Sequence, residues 1–273
     1  MPSAPCRSSV AAALRAAGCV FAEDEAELLL AAARTPDELA VLVDRRARGL
    51  PLEHVLGWAE FRGLRVTVEP GVFVPRRRTE FLIEQALARA PGASVVVDLC
   101  CGSGALGAAL ADALGRVELH AADIDPAAVR CARTNIAGYG GQVHQGDLFD
   151  ALPGELRGRV DLLAANVPYV PTGEVARLPA EARDHEPLTA LDGGADGLDV
   201  LRRVASGAVR WLAPGGCVLV ETSGRQAPEA VGIFGGAGLK AQVAVSEEWS
   251  AHVVIGTLDG RGGQPWASRR ACP

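Results

Sequence analysis

Between Ser8 and about Arg48 the apolar residues recur at helical spacing, as Val10, Leu14 and Ala17, then Ala26, Leu29, Leu30 and Ala33, then Leu39, Leu42 and Val43. Thr35-Pro36-Asp37-Glu38 has the form of a helix start, with a hydroxyl placed to cap, a proline in the first turn and acids after it. These positions predict a small helical domain over residues 1–50. The period then changes. Short alternating runs at 61–68, broken by Glu69-Pro70-Gly71, predict a β-hairpin linker over residues 51–78, and a helix from 79 to about 89 follows.

Ser94-Val95-Val96-Val97-Asp98-Leu99 is apolar almost throughout, as suits a central parallel strand buried on both faces. Strand candidates at 117–122, 142–145, 160–165, 217–221, 239–245 and 252–257 alternate with helical stretches, and the last two lie close enough to form an antiparallel hairpin. The fold class is therefore α/β: a doubly wound, Rossmann-like sheet of seven strands over residues 79–258, preceded by the small helical domain. Its ligand crevice is expected at the carboxyl ends of the strands. The Gly- and Arg-rich residues 259–273 read as a disordered tail.

Composition narrows the partners. Hydrophobic residues are 49% of the chain but aromatics only 4%, so the core must be aliphatic and rich in alanine. A formal charge of −6 is the wrong sign for a protein that binds by neutralising phosphates, which disfavours nucleic acid. The seven cysteines are scattered without a CxxC pair and read as reduced, mostly buried thiols. The five histidines lack metal spacing, so no metal is expected. No apolar stretch approaches the ~18 unbroken residues of a membrane span, and no leader pattern is evident, so a cytoplasmic protein is expected.

Cys100-Cys101-Gly102-Ser103-Gly104-Ala105-Leu106-Gly107 follows a strand and opens a helix. Its glycines match the GxGxxG pattern, which by itself is a weak signal for a nucleotide ligand. Asp98 argues against a dinucleotide, because its carboxylate would face the pyrophosphate at the helix N-terminus. S-adenosyl-L-methionine has no phosphate, and its cationic groups would be helped by a nearby acid. Asp123 falls where an acid accepts hydrogen bonds from ribose hydroxyls, with Ile124 beside it. Asp147 falls where it reads an adenine edge, with Leu148 and Phe149 as apolar cover. The expected cofactor-binding set is thus Asp98, Cys100, Cys101, Gly102, Ser103, Gly104, Asp123, Ile124, Asp147 and Leu148, joined by Asn166. The plainer reading is that Asp98 and Asp147 only cap helices or loops.

Asn166-Val167-Pro168-Tyr169 follows the apolar run 160–165 and is the candidate catalytic turn. An amide nitrogen is a poor nucleophile because its lone pair is delocalised. If the Asn166 side-chain oxygen and the Val167 carbonyl accept its two N–H bonds, the nitrogen is aimed at the methyl group and its developing positive charge is stabilised. Tyr169 would cover the planar acceptor, with Pro168 stiffening the turn. The plainer alternative is an Asn-x-Pro turn with a core tyrosine.

In this order, the motifs resemble the HemK or release-factor protein-(glutamine-N5) methyltransferase family, from about residue 51 to 257. The likeness includes Pro51-Leu52-Glu53-His54-Val55-Leu56-Gly57, Phe61-Arg62-Gly63-Leu64, Pro70-Gly71-Val72-Phe73-Val74-Pro75-Arg76, Thr79-Glu80, Glu186-Pro187, Gly193-Gly194-Ala195-Asp196-Gly197-Leu198 and Leu212-Ala213-Pro214-Gly215-Gly216. The resemblance implies an N-terminal domain that docks a protein substrate and a catalytic domain that methylates a glutamine, which in release factors lies in a Gly-Gly-Gln motif.

The sequence departs from that pattern in three places. Val167 replaces a proline, Cys100 replaces the first glycine of the loop, and Pro75-Arg76-Arg77-Arg78-Thr79-Glu80 puts arginines where a proline and an acid are usual, which resembles an actinobacterial side branch. Arg76 to Arg78 read as a solvated turn more readily than as a substrate-facing cluster. Two further readings compete: an N-methyltransferase for a small molecule or an exocyclic amine of a base, and a cofactor-binding protein without turnover.

Overall fold

The structure is a computed structural model that describes residues 6–260. Helices α1 (Arg7–Ala16), α2 (Ala22–Ala32), α3 (Pro36–Ala47) and α4 (Leu52–Leu56) pack around Leu14, Ala26, Leu29, Leu39 and Val55. The Thr35 hydroxyl accepts the Glu38 amide at 3.1 Å and caps α3 as predicted. Inside this bundle Arg46 is buried with Glu25, Nε to Oε2 at 2.6 Å.

The segment predicted as a hairpin linker divides in two. Its first residues form α4, closed by Gly57 in the left-handed region at φ 80°. The hairpin itself is β1 (Trp58–Phe61) paired with β2 (Leu64–Thr67) around Arg62-Gly63, both at positive φ. The turn thus falls inside the alternating run 61–68 and not at Glu69-Pro70-Gly71, where the run breaks. Phe61 and Val66 are buried in the main core, so the hairpin packs on the second domain besides linking to it.

That domain continues through α5 (Glu80–Arg89), β3 (Val95–Leu99), α6 (Ala105–Leu114), β4 (Glu118–Asp123), α7 (Pro126–Ile136), β5 (Gln142–Gln145), β6 (Val160–Ala165), α8 (Ala180–His185) and α9 (Leu188–Leu191). It ends with α10 (Asp199–Trp211), β7 (Leu212–Thr222), α11 (Ala227–Gly236), β8 (Lys240–Ser246) and β9 (Ala251–Thr257). The seven strands lie in the order β5-β4-β3-β6-β7-β9-β8. The first five are parallel, while β9 inserts antiparallel between β7 and β8, so the predicted terminal hairpin is present.

Successive residues of β3 face opposite layers. Val96 joins Leu82, Leu106 and Leu110 on one side, and Val97 joins Leu201, Val204 and Phe234 on the other. β7 is longer than expected because Leu212 already pairs with Val160, with a register shift before Leu162. Strand order reverses between β3 and β6, which opens a crevice at their carboxyl ends. Among the described residues no helix is long and apolar enough to cross a membrane. The tail assigned to 259–273 lies outside the described residues after Gly260.

Candidate functional site

A cavity of about 940 Å³ lies over that crevice, between the ends of β3, β4, β6 and β7, the segment 71–79 and helices α8 and α9. It brings together Asp98, Cys100, Cys101, Gly102, Ser103, Asp123, Ile124, Asp147 and Leu148 with Asn166, Val167, Pro168 and Tyr169. Of the expected site residues only Gly104 is set back from it.

Asp98, next to last in β3, is fully enclosed. Its Oδ2 accepts the Gly107 amide at 2.8 Å, within the first turn of α6, so it does cap that helix. Its Oδ1 is buried and has no partner. Burial pushes the carboxyl up to about 7, against the Gly107 bond that favours the charged form. The three glycines that follow have separate reasons. Gly102, at φ 53°, leaves open space above its Cα. Gly104, at φ 78°, lets α6 approach α7, since a Cβ there would lie 3.0 Å from Ala132 Cβ. Gly107 makes room for the Asp98 carboxylate. Cys100 occupies the left-handed region at φ 54°, strained for a residue with a Cβ, and burial raises both the Cys100 and Cys101 thiols, so neither is a reactive thiolate.

Asp123, at the end of β4, accepts the amides of Gly102 at 2.8 Å and Asp125 at 2.9 Å, and burial raises it above the usual carboxylate range. Asp147 is held at 2.7 Å by Arg203 of α10, a cavity-lining residue that sequence reading missed because its partner is far along the chain. Phe149 corrects the expectation of apolar cover: its ring stacks on Trp211 at 5.7 Å and does not line the cavity.

The turn after β6 follows the strand paired with β3 and lines the same cavity. Val167 is buried in the core, while the Asn166 side-chain amide and the Val167 carbonyl form no hydrogen bond among the described residues. The loop 193–197 supports the turn from behind. Gly193 donates to the Val170 carbonyl at 2.8 Å, and a Cβ on Gly193 would sit 2.6 Å from the Pro168 carbonyl oxygen. Gln226 donates to the Tyr169 carbonyl at 2.9 Å. The Gly-Gly-Ala-Asp-Gly stretch is therefore the bed on which the turn lies.

The Arg76–Arg78 segment is not a solvated turn. Arg76 is paired with buried Glu186 at 2.7 Å and Arg78, though half exposed itself, with buried Glu221 at 3.0 Å, while Arg77 is exposed. A buried carboxylate is worth retaining only when paired in this way, which explains the basic run.

These residues fit S-adenosyl-L-methionine. An unpartnered buried carboxylate oxygen offers an acceptor for a cationic group, a second acid stands one strand away, and Gly102, with open space above its Cα, donates its amide to that acid.

The model of the methyltransferase small domain family matches residues 63–183. The chain is 41% identical over 204 residues to release factor glutamine methyltransferase of Geobacter sulfurreducens, covering 73% of this chain and 71% of that protein. It is 37% identical over 228 residues to 4-amino-L-phenylalanine/4-methylamino-L-phenylalanine methyltransferase of Streptomyces pristinaespiralis, covering 81% and 77% respectively. Among solved structures, a methyltransferase from Pyrococcus furiosus superimposes with a TM-score of 0.56 at 16% identity over 72% of this chain and 90% of that one, which supports the fold.

Proposed function

This chain belongs to the family of release factor glutamine methyltransferases, which draw their methyl group from S-adenosyl-L-methionine, and from that premise we propose that it methylates the side-chain amide of a glutamine in a protein substrate. The observation that carries the proposal is the pair of uncommitted acceptors on the turn after β6, the Asn166 side-chain oxygen and the Val167 carbonyl, in the same cavity as Asp98 and on the strand paired with its own.

Bound S-adenosyl-L-methionine supplies an electrophilic methyl group on a cationic sulfonium. Asp98, Gly102, Ser103 and Asp123 are the residues we assign to hold it, with Cys100, Cys101, Gly104, Ile124, Asp147 and Leu148 shaping that half of the cavity. Asn166 and Val167 hold the two N–H bonds of the acceptor amide, orient its nitrogen and stabilise the charge that develops as its lone pair leaves conjugation. Pro168 stiffens the turn, and Tyr169 covers the amide plane. No acid–base residue is required before transfer, because the nitrogen sheds its proton after the new bond has formed.

The helical domain is proposed to dock the protein substrate. In support, Val20, Phe21 and Val41 are exposed apolar side chains on its surface. A second reading, N-methylation of a free amino acid bearing an aryl amine, is favoured by the larger share of this chain that aligns with the Streptomyces pristinaespiralis enzyme.

The test offers the purified protein, with radiolabelled S-adenosyl-L-methionine, two acceptors in parallel: a bacterial release factor with its Gly-Gly-Gln motif, and 4-amino-L-phenylalanine. Label on the glutamine, located by mass spectrometry, supports the first reading. Label only on the amino acid replaces it with the second.

A further inference from the structure

Three donors converge on Glu221, the buried carboxylate near the end of β7: Arg78 Nε at 3.0 Å and the Tyr169 hydroxyl at 3.1 Å on Oε1, and the buried Thr79 hydroxyl at 2.6 Å on Oε2. Arg78 closes a ring of contacts, since its Nη2 donates to the same Tyr169 hydroxyl and its guanidinium lies 5.8 Å from the centre of the tyrosine ring. Tyr169 is thus held by its hydroxyl at one end and by Gln226 on its carbonyl at the other. Neither Arg78 nor Glu221 belongs to the turn, yet both line the cavity beside it.

We propose that Arg78 and Glu221 are positioning residues, which fix the plane of the Tyr169 ring and so set the width of the acceptor slot beside Asn166. The proposal rests on the reading that the turn after β6 holds the acceptor. An aromatic side chain anchored only at its Cα can swing about χ1 and χ2, whereas two hydrogen bonds to the phenol leave one orientation. Arg78 has a geometric advantage over lysine here, because its planar fork reaches Glu221 with one nitrogen and Tyr169 with another, which a single ammonium does less well. Thr79 occupies the far oxygen of Glu221, so the carboxylate cannot turn away from the tyrosine without losing a short bond. The slot is consequently rigid on its aromatic side before any acceptor arrives, which is the condition for orienting an amide plane.

The experiment uses the full-length protein and has two readouts. First, Arg78→Ala, Tyr169→Phe and the double variant are assayed on the release factor, while affinity for S-adenosyl-L-homocysteine is measured by calorimetry. Each single change is expected to lower kcat on the order of 10–100-fold with cofactor affinity nearly unchanged, and the double variant is expected to be no worse than the poorer single one. Arg78→Lys should recover part of the loss.

Second, because the chain contains two tyrosines, protein labelled with ¹³C at tyrosine Cζ gives two resonances, with Tyr139 as the internal control. Arg78→Ala and the milder Glu221→Gln should shift or broaden the Tyr169 signal and leave that of Tyr139 in place. Additive losses in the double variant, or an unmoved Tyr169 resonance, would overturn the proposal. If the wild-type protein leaves the release factor unmethylated, the glutamine reading fails, and the resonance alone decides whether Arg78 and Glu221 hold the ring.

Discussion

The Asp98 carboxylate accepts the Gly107 amide at 2.8 Å through one oxygen, while its other oxygen is buried without a partner. One bond to the charged form does not offset the loss of water, and the group is pushed up to about 7.

The sign of the pH dependence follows. A folded-state value raised above the ordinary 3.8 leaves the unbound protein fully stabilised below 3.8, and that stability is lost as pH rises through about 7. The loss is of the order of 4 kcal/mol at one pH unit per 1.36 kcal/mol. Urea unfolding across pH 4–8 should show this decline in the wild type and a flatter curve for Asp98→Asn. Since a cationic ligand favours the ionised form, affinity for S-adenosyl-L-methionine should rise with pH through the same range, with proton release detectable by calorimetry in buffers of different ionisation enthalpy. A pH-independent affinity would remove Asp98 from the cofactor site.

Asn166→Ala removes one of the two acceptors proposed for the substrate amide and touches nothing else that is hydrogen-bonded. Turnover should fall about 10²-fold or more, with binding of S-adenosyl-L-homocysteine spared. Loss of both together would mean that the turn serves the cofactor instead of the acceptor.

Cys100 holds a left-handed backbone at φ 54° that glycine adopts without strain. Cys100→Gly should raise the melting temperature, with a gain of about 1 kcal/mol. A lower melting temperature would show that packing of the thiol outweighs the strain.

Gly197, at φ 78°, lies directly beneath the Tyr169 carbonyl and the Gln226 amide, and a Cβ there would collide with both. Gly197→Ala should displace the turn and cut kcat, with a stability loss of about 2–3 kcal/mol from strain and clash. Retained activity would mean that the glycine bed does not set the geometry of the turn.

Much of the fold was legible in the sequence because its signals are local. The Thr35 cap, the apolar run of β3 and the alternation of strands with helices each lie within about a dozen residues, the range over which backbone preference and periodicity act. The same holds for the half of the cavity proposed to hold the cofactor, where Asp98 and the glycines that follow it lie on consecutive strand, loop and helix, and for the turn Asn166–Tyr169, whose place is set by the end of β6. The position of the hairpin turn was less legible: it falls at Arg62-Gly63 inside the alternating run and not at Glu69-Pro70-Gly71 where the run breaks.

What only the tertiary structure decided is the pairing of charges across the chain. Arg78 meets Glu221 across 143 positions, Arg203 meets Asp147 across 56, and buried Arg46 of the helical domain meets Glu181 beside the cavity across 135. The sequence shows each arginine as a surface charge, because an isolated charge is cheapest in water. It becomes one half of an ion pair only once strand order has brought a carboxylate within about 3 Å, with Arg46 alone of the three buried as well, and strand order is a property of the whole chain.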